Sequence, residues 1–585
     1  DISLKADNKN DEKKPKRQYP GFRKNFNDYI QQYTDYTGIQ GFRYMGEQDR
    51  HIFEKASHLT FTLHTPTFLY TSTLLTPHYL LSRLSWTVVF CVSLWFCISL
   101  TIETWYKWET SPVLVSFARS PTPVWEIPFP AVTICPVNKI KDSSFNYTDT
   151  LNKYVHEGNL TEEEMRHLGD ASLICDDYRY DSLNITVGLD TIDYLASVAP
   201  QFQETLFSCK WTLLNESCYN LFTPVLTDDG VCFSFNTLDR AQLFKEKVVH
   251  YENYFSHGIT TEEWTLEKVD ITALKKDTFP RRAMSAGSTA GLFLLITAYK
   301  QDLDYVCKGP VQGFKVLLHH PAELPRMSSH YYRAPLNQEL VISITPDMMT
   351  TSPGLKDYDP HRRQCYFPDE KHLTYFHYYT QQNCQVECLT NYTLAKCGCV
   401  AYHMPREESI PVCGPGSMTC ISNAEAELFD REAEAAISTY DSDSSDNKPF
   451  NCDCLPACTS LSYNAEITQA DFHWQKIFEG YRSSMDEFPG YAFIFLACII
   501  QLTRLTLYFK EQQFITSERN ELYGLTDFLA NCGGILGLFT GFSFLSLVEI
   551  MYFLSLRLIC NVKMYGRHYW SASSDLLKSD SYLHY

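Results

Sequence analysis

The sequence predicts an α+β membrane protein in which two transmembrane helices bracket a large, disulfide-rich extracellular domain. Three observations carry that prediction. Long apolar stretches occupy residues 84–102 and 525–558, near the two ends of the 585-residue chain. Sixteen of the 21 cysteines lie within residues 135–458. Sequons at Asn146, Asn159, Asn184, Asn215 and Asn391 fall in the same interval. Clustered cysteines and glycosylation acceptors indicate an oxidising, secretory-pathway environment. A net charge of −19 argues against a nucleic-acid partner. No P-loop, Gly-x-Ser-x-Gly or His-Glu-x-x-His motif is present, so no reaction centre, catalytic residue or metal site is expected.

In chain order, residues 1–79 are a polar, cytoplasmic region with 11 Lys and Arg before Pro77, which the positive-inside rule keeps in the cytoplasm. The chain begins at Asp1, so a trimmed N-terminus is expected, and the first apolar segment serves as the insertion signal. Residues 84–102 carry no charge between Arg83 and Glu103 and form the core of a first span set at 80–104. Trp86, Trp95, Trp105 and Trp108 suit interfaces or packing, and Cys91 and Cys97 are expected as buried, unpaired thiols. Two spans return the chain to the cytoplasm, in agreement with Lys563, Arg567 and Lys578 in a tail at 559–585, and leave 105–524 outside.

The outer domain opens with the strand-like FPAVTIC at 129–135. Residues 137–231 look helical and loop-like, with Ile192, Leu195 and Val198 at helical spacing before Pro200. An aromatic, polar insertion fills 237–285. Strand patterns follow at 291–299, 313–321 and 338–346. The block at 365–458 holds C-x-C and C-x3-C spacings, which favour disulfides over zinc. Within it AEAELFDREAEAAIS at 424–438 predicts a helix, followed by the acidic DSDSSDN. Residues 491–509 could pass for a third span, but their charge-free run is short and a third span would put the C-terminus outside. A strand leading to the second span is the expectation.

At about 1.5 Å per residue the stretch 525–558 would reach roughly 51 Å, well beyond a bilayer core of about 30 Å. Gly533, Gly537 and Gly541 recur every four residues, with Gly534 beside them. Such spacing fits a small-xxx-small helix contact, or a pore wall where carbonyls face ions. Glu549 favours the pore, because a carboxylate at membrane depth is costly unless it meets water or a partner.

GLFTGFS followed by Glu549, together with FPAVTIC and GVCFSFN (230–236), resembles the degenerin/epithelial sodium channel superfamily. The FPRRAM segment (279–284) and the insertion before it are most similar to the invertebrate FMRFamide-gated branch. The resemblance implies a trimer with palm, β-ball, finger, thumb and knuckle regions, the finger near 137–231 and the thumb near 365–458. It implies a selectivity filter at Gly541, Phe542 and Ser543. Asp527, Ala530, Asn531, Gly533, Gly534, Gly537 and Glu549 would line the pore and gate, and His64 would sit in an inner re-entrant loop. It implies disulfides Cys135–Cys232, Cys209–Cys218, Cys365–Cys458, Cys384–Cys454, Cys388–Cys452, Cys397–Cys420 and Cys399–Cys413, which leaves Cys175 with Cys307. The implied function is an amiloride-sensitive type of plasma-membrane channel passing Na+ without a cofactor. Its partners would be two further, identical subunits, membrane lipid and an extracellular peptide. A peptide such as FMRFamide needs apolar pockets and a carboxylate for its arginine. Asp176, Asp177, Tyr178, Tyr180, Tyr194, Phe202 and Phe207 in the finger are the candidates. Proton gating through acidic residues near 425–446, constitutive or mechanical gating, and a non-conducting two-span receptor or adhesion protein are the alternatives.

Overall fold

A computed structural model describes residues 21–39, 75–110, 113–156, 158, 160–175, 187–249, 251, 253–256, 279–438, 452–481 and 499–573. The chain divides into two compact units, one formed by 1–112 with 521–585 and the other by 113–520. His64, Asp176, Asp177, Tyr178, Tyr180, Asn159, Asn184 and the acidic 441–447 lie outside the described residues.

In the first unit, the helix Leu75–Thr110 outlasts the charge-free run at its C-terminal end. Thr101, Thr104 and Thr110 return their hydroxyls to carbonyls one turn back at 2.7 Å, which satisfies polar groups without leaving the helix. Cys97 is buried, whereas Cys91 is exposed on the helix surface rather than buried as expected. The second apolar stretch is broken into Leu525–Thr540 and Phe544–Tyr552, then a π turn Phe553–Arg557 and a last helix Leu558–Tyr565. The segments Thr87–Thr110 and Phe544–Tyr565 are each long and apolar enough to cross a membrane. A further helix, Phe22–Tyr36, lies in the region read from sequence only as polar and cytoplasmic.

The second unit is built on two sheets. An eight-stranded mixed sheet runs Val113–Phe117, Ser517–Glu521, Gln338–Thr351, Ile500–Phe509, Leu292–Tyr299, Leu206–Trp211 and Leu214–Glu216, with Ser460–Asp471 paired to Gln338–Thr351. A five-stranded sheet runs Tyr332–Ala334, Phe314–His319, Ala131–Pro136, Gly230–Phe235 and Phe222–Thr227. Residues 137–231 thus hold strands as well as helices. Ile500–Phe509 is a strand, and Ser517–Glu521 is the strand that leads into the second span. One apolar core includes Ile134 and Phe235 of the smaller sheet and Leu294, Ile342 and Leu507 of the larger. Phe129 anchors it, with ring centroids 5.0 Å from Trp211 and 5.1 Å from Phe509.

Helices cover the rest. Glu162–Ser172 starts with a capping box between Thr161 and Glu164. Gln381–Cys397 is capped by Thr380 and stopped by left-handed Gly398. It packs on Met418–Ser438, which covers the predicted Ala/Glu helix. Cys397–Cys420, Cys399–Cys413, Cys384–Cys454 and Cys388–Cys452 are bonded in this region. Cys135–Cys232, Cys175–Cys307, Cys209–Cys218 and Cys365–Cys458 are bonded elsewhere in the domain.

The approach of Leu292–Tyr299 to its neighbour depends on Gly291. A Cβ there would lie 1.9 Å from the Leu507 carbonyl oxygen and 2.8 Å from the Tyr508 Cβ. Backbone has to move to admit it, at an overpacking cost of about 1–3 kcal/mol. Gly291→Ala is expected to lower the unfolding temperature of the purified chain by several degrees. An unchanged melting curve would contradict the packing at this position.

Candidate functional site

The second apolar stretch carries two helical stripes with different surroundings. Phe528 stacks on Trp108 at 5.3 Å and meets Trp105 at 5.6 Å, and Phe539 stacks on Phe96 at 6.4 Å. That stripe faces the first span. Asp527, Ala530, Asn531, Gly534, Gly537 and Gly541 recur at three- and four-residue steps on another face. Ala530, Asn531, Gly533, Gly534 and Gly537 are exposed, and a Cβ at any of these three glycines would meet nothing within 4 Å. The glycines therefore do not mediate packing between this chain's own two spans. Asp527 accepts the Gly524 N–H at 3.2 Å, and Asn531 donates to the Tyr523 hydroxyl at 2.5 Å, so this helix begins with a tied first turn.

The break is the central feature. Gly541 is left-handed at φ 66°, and its N–H goes to Gly537 while Phe542 N–H reaches back to Leu536 at 3.3 Å. This pattern terminates a helix and is most readily adopted by glycine. Ser543 then restarts the helix: its Oγ accepts from Ser546 N–H at 3.4 Å, and Ser546 Oγ accepts from Ser543 N–H at 3.2 Å. Ser93 of the first span donates to the Phe539 carbonyl at 2.6 Å. Among the described residues, no backbone N–H reaches the carbonyls of Thr540, Gly541 and Phe542. Carbonyls without a backbone donor at a break in an apolar segment are suited to water or a cation as partner.

Glu549 has a partner that the sequence did not suggest. Its Oε2 is 3.4 Å from the Gly38 N–H, and a Cβ on Gly38 would sit 3.8 Å from Ser546 Oγ. The helix Phe22–Tyr36 delivers Gly38 there. Tyr29 donates to the Phe553 carbonyl at 2.5 Å, where the π turn departs from regular helical bonding. Tyr33 packs edge-on against Phe553 at 5.1 Å. Arg557 donates to Gln32 at 3.1 Å and lies over the Phe553 ring at 4.4 Å. Asn25 and Ser571 bond at 2.8 Å. The aromatic spacing Phe22, Phe26, Tyr29, Tyr33 was the available signal for this helix.

The finger candidates separate. Tyr194 stacks on His167 at 4.1 Å within a local core, and burial raises its phenol pKa. Phe202 and Phe207 line a different place, a cavity of about 450 Å³ shared with Tyr219 and Glu216. Phe202 packs against Phe233 at 5.3 Å and Phe207 is exposed. Glu216 lies 3.4 Å from Arg281, each about a quarter exposed. Of the described sequon residues, Asn215 and Asn391 are exposed, and Asn146 accepts the Asp149 N–H at 2.8 Å.

Residues 33–553 match the family described as amiloride-sensitive sodium channel. Pickpocket protein 28 of Drosophila melanogaster is 28% identical over 510 residues, 85% of this chain and 77% of that protein. Sodium channel protein Nach of the same organism is 23% identical, over 82% of this chain and 84% of its own length. Acid-sensing ion channel 4-B of Danio rerio is 21% identical, over 73% of this chain and 63% of its own length. Members of this family are plasma-membrane ion channels and not enzymes. The match takes in the first apolar stretch, the cystine-rich domain and the second stretch as far as residue 553, including the Gly541 break, so the chain belongs to the amiloride-sensitive sodium channel family.

Proposed function

We propose that this chain is one of three identical subunits of an amiloride-sensitive sodium channel opened by an extracellular FMRFamide-like peptide, with both termini in the cytoplasm. The observation that carries the conducting role is the set of free carbonyls at Thr540, Gly541 and Phe542. Na+ arriving there exchanges hydration water for peptide oxygens. Asp527 at the head of the same helix draws cations toward the glycine stripe. Ala530 and Asn531 lie one turn into that stripe, where the spans of three subunits would approach and part. The outer domain, carrying glycans at its sequons, is continuous in the chain with the spans at 112–113 and 520–521. Movement of that domain is passed to the helices through those two links.

The peptide reading is supported by the cavity of Phe202, Phe207, Tyr219 and Glu216. Aromatic walls suit phenylalanine side chains, and Glu216 can exchange its Arg281 contact for a ligand arginine. Tyr194 belongs to the finger core in this reading. With whole-cell recording during peptide steps, Glu216→Lys is expected to raise the half-maximal FMRFamide concentration about tenfold or more, in line with loss of a charge-assisted bond. An unchanged dose–response, or no peptide current in the unaltered channel, would contradict the assignment.

Glu323 favours proton sensitivity as a second reading. Burial raises its carboxyl from 4.5 to about 7, against the weaker opposing bonds from the His320 N–H and Thr380. The neighbouring His319 and His320 are pushed down to about 4 and about 3, so neither supplies a compensating cation near neutrality. On the acidic helix, Lys396 holds Glu427 below the ordinary carboxylate range and Glu425 is paired with Arg326, whereas burial raises Glu432. Because the folded pKa of Glu323 is the higher one, its stabilising contribution is complete below about 4.5 and is lost as pH rises through about 7. Melting temperature should therefore fall between pH 5 and pH 8, and Glu323→Gln should flatten that fall. An identical pH profile in the variant would remove Glu323 as a sensor.

A further inference from the structure

A second cavity, of about 330 Å³, lies between the turn after Phe222–Thr227 and the helix Met418–Ser438. Asp229 is at its base, only 6% exposed, and three ammonium groups converge on it. Lys139 is 2.7 Å from Oδ2, while Lys315 and Lys308 are 3.0 Å and 3.8 Å from Oδ1. Asp228 accepts the Met327 and Ser328 N–H groups, both at 2.7 Å. Arg326 pairs with Glu425. Each carboxylate that lines the cavity therefore has donors already. Lining charges balance, with Lys308, Lys315 and Arg326 against Asp228, Asp229 and Glu425. Lys139 does not line the cavity but is buried against Asp229, and it tips the local charge to positive. Burial first, then crowding by Lys315 and Lys308, brings Lys139 down to about 8, against the pull of Asp229.

A further observation points to a ligand. His403 lines the cavity, and its Nδ1 is buried with no hydrogen-bond partner among the described residues. A neutral imidazole can place a proton on that nitrogen and donate it. Met327, Met418 and Ile421 supply apolar wall on other sides. Lys308, Lys315 and the neutral His403 donor, set beside the apolar Met327, Met418 and Ile421, match an acid group on a compact hydrophobic body.

We propose that this cavity binds a small organic anion, a carboxylate or sulfonate-like acid group held by Lys308, Lys315 and His403 with its body against Met418 and Ile421. Such a ligand would tie the turn carrying Asp228 and Asp229 to the helix Met418–Ser438, and so stabilise the outer domain by mass action.

The test uses the full chain in detergent or nanodiscs, with thermal unfolding followed by intrinsic fluorescence. Benzenesulfonate is titrated against benzyltrimethylammonium at matched ionic strength. A saturable rise in melting temperature is expected with the sulfonate and not with the ammonium. Lys308→Gln should raise the half-saturating concentration about tenfold, as loss of a charge-assisted contact predicts. That variant leaves Asp229 its closer bonds to Lys139 and Lys315, so folding is preserved. Ser422→Trp, at the exposed mouth, should abolish the shift by filling the entrance. No saturable rise, an equal rise with the cation, or unaltered saturation in both variants would overturn the proposal.

Discussion

A peptide carbonyl placed in hydrocarbon must find a donor or a cation, and the membrane half of this chain is arranged around that requirement. An unbroken helix would satisfy every carbonyl internally and offer nothing to an ion. Left-handed Gly541 ends the ladder, and Ser543 resumes it within a few residues. Ser93 takes up the Phe539 carbonyl from the side. Among the described residues, the carbonyls of Thr540, Gly541 and Phe542 at the break are left without a backbone donor. Each unsatisfied group costs about 1–3 kcal/mol or more when buried, so the turn is stable only where water or Na+ reaches it.

The surroundings of the break follow from the same need. Below it Glu549 would be a second costly group, and the Gly38 N–H approaches it. Tyr29, Tyr33 and Arg557 hold the helix that delivers Gly38, against a π turn that departs from the regular helix at Phe553. In the outer unit, rigidity comes from packing and covalent bonds. Phe129, Trp211 and Phe509 form one aromatic contact across the core, and eight disulfides among the described residues tie the loops and helices to the sheets or to one another.

Legibility in the sequence tracked how local each signal was. Apolar runs, alternation at 338–346 and the Ala/Glu helix are local patterns, and strands or helices stand at those places. The first span ran past its charge-free core because Trp105, Lys107 and Glu109 still favour helix, which hydropathy does not register. Phe22–Tyr36 was overlooked because its charges obscured an aromatic stripe whose partners lie more than 500 residues away. Strands within 137–231 were missed because their pairing is non-local, with Leu206–Trp211 set against Leu292–Tyr299. Cys91 illustrates a reversed inference: a thiol in an apolar run was taken as buried, yet it lies on the outer surface of the helix. The ligand surfaces were least legible. Phe202 and Phe207 meet Glu216 only through the fold, and the Asp229 cluster draws on Lys139, Lys308 and Lys315 from separate segments.

The most direct measurement is the bi-ionic Na+/K+ reversal potential of Gly541→Ala, compared with the unaltered channel at equal surface expression. A Cβ in the left-handed region costs about 1–2 kcal/mol, enough to move the turn toward regular helix and withdraw its carbonyls. The expected result is a reversal potential near zero, with Na+ and K+ passing alike. Full Na+ selectivity retained in that variant would contradict a filter made from the broken helix.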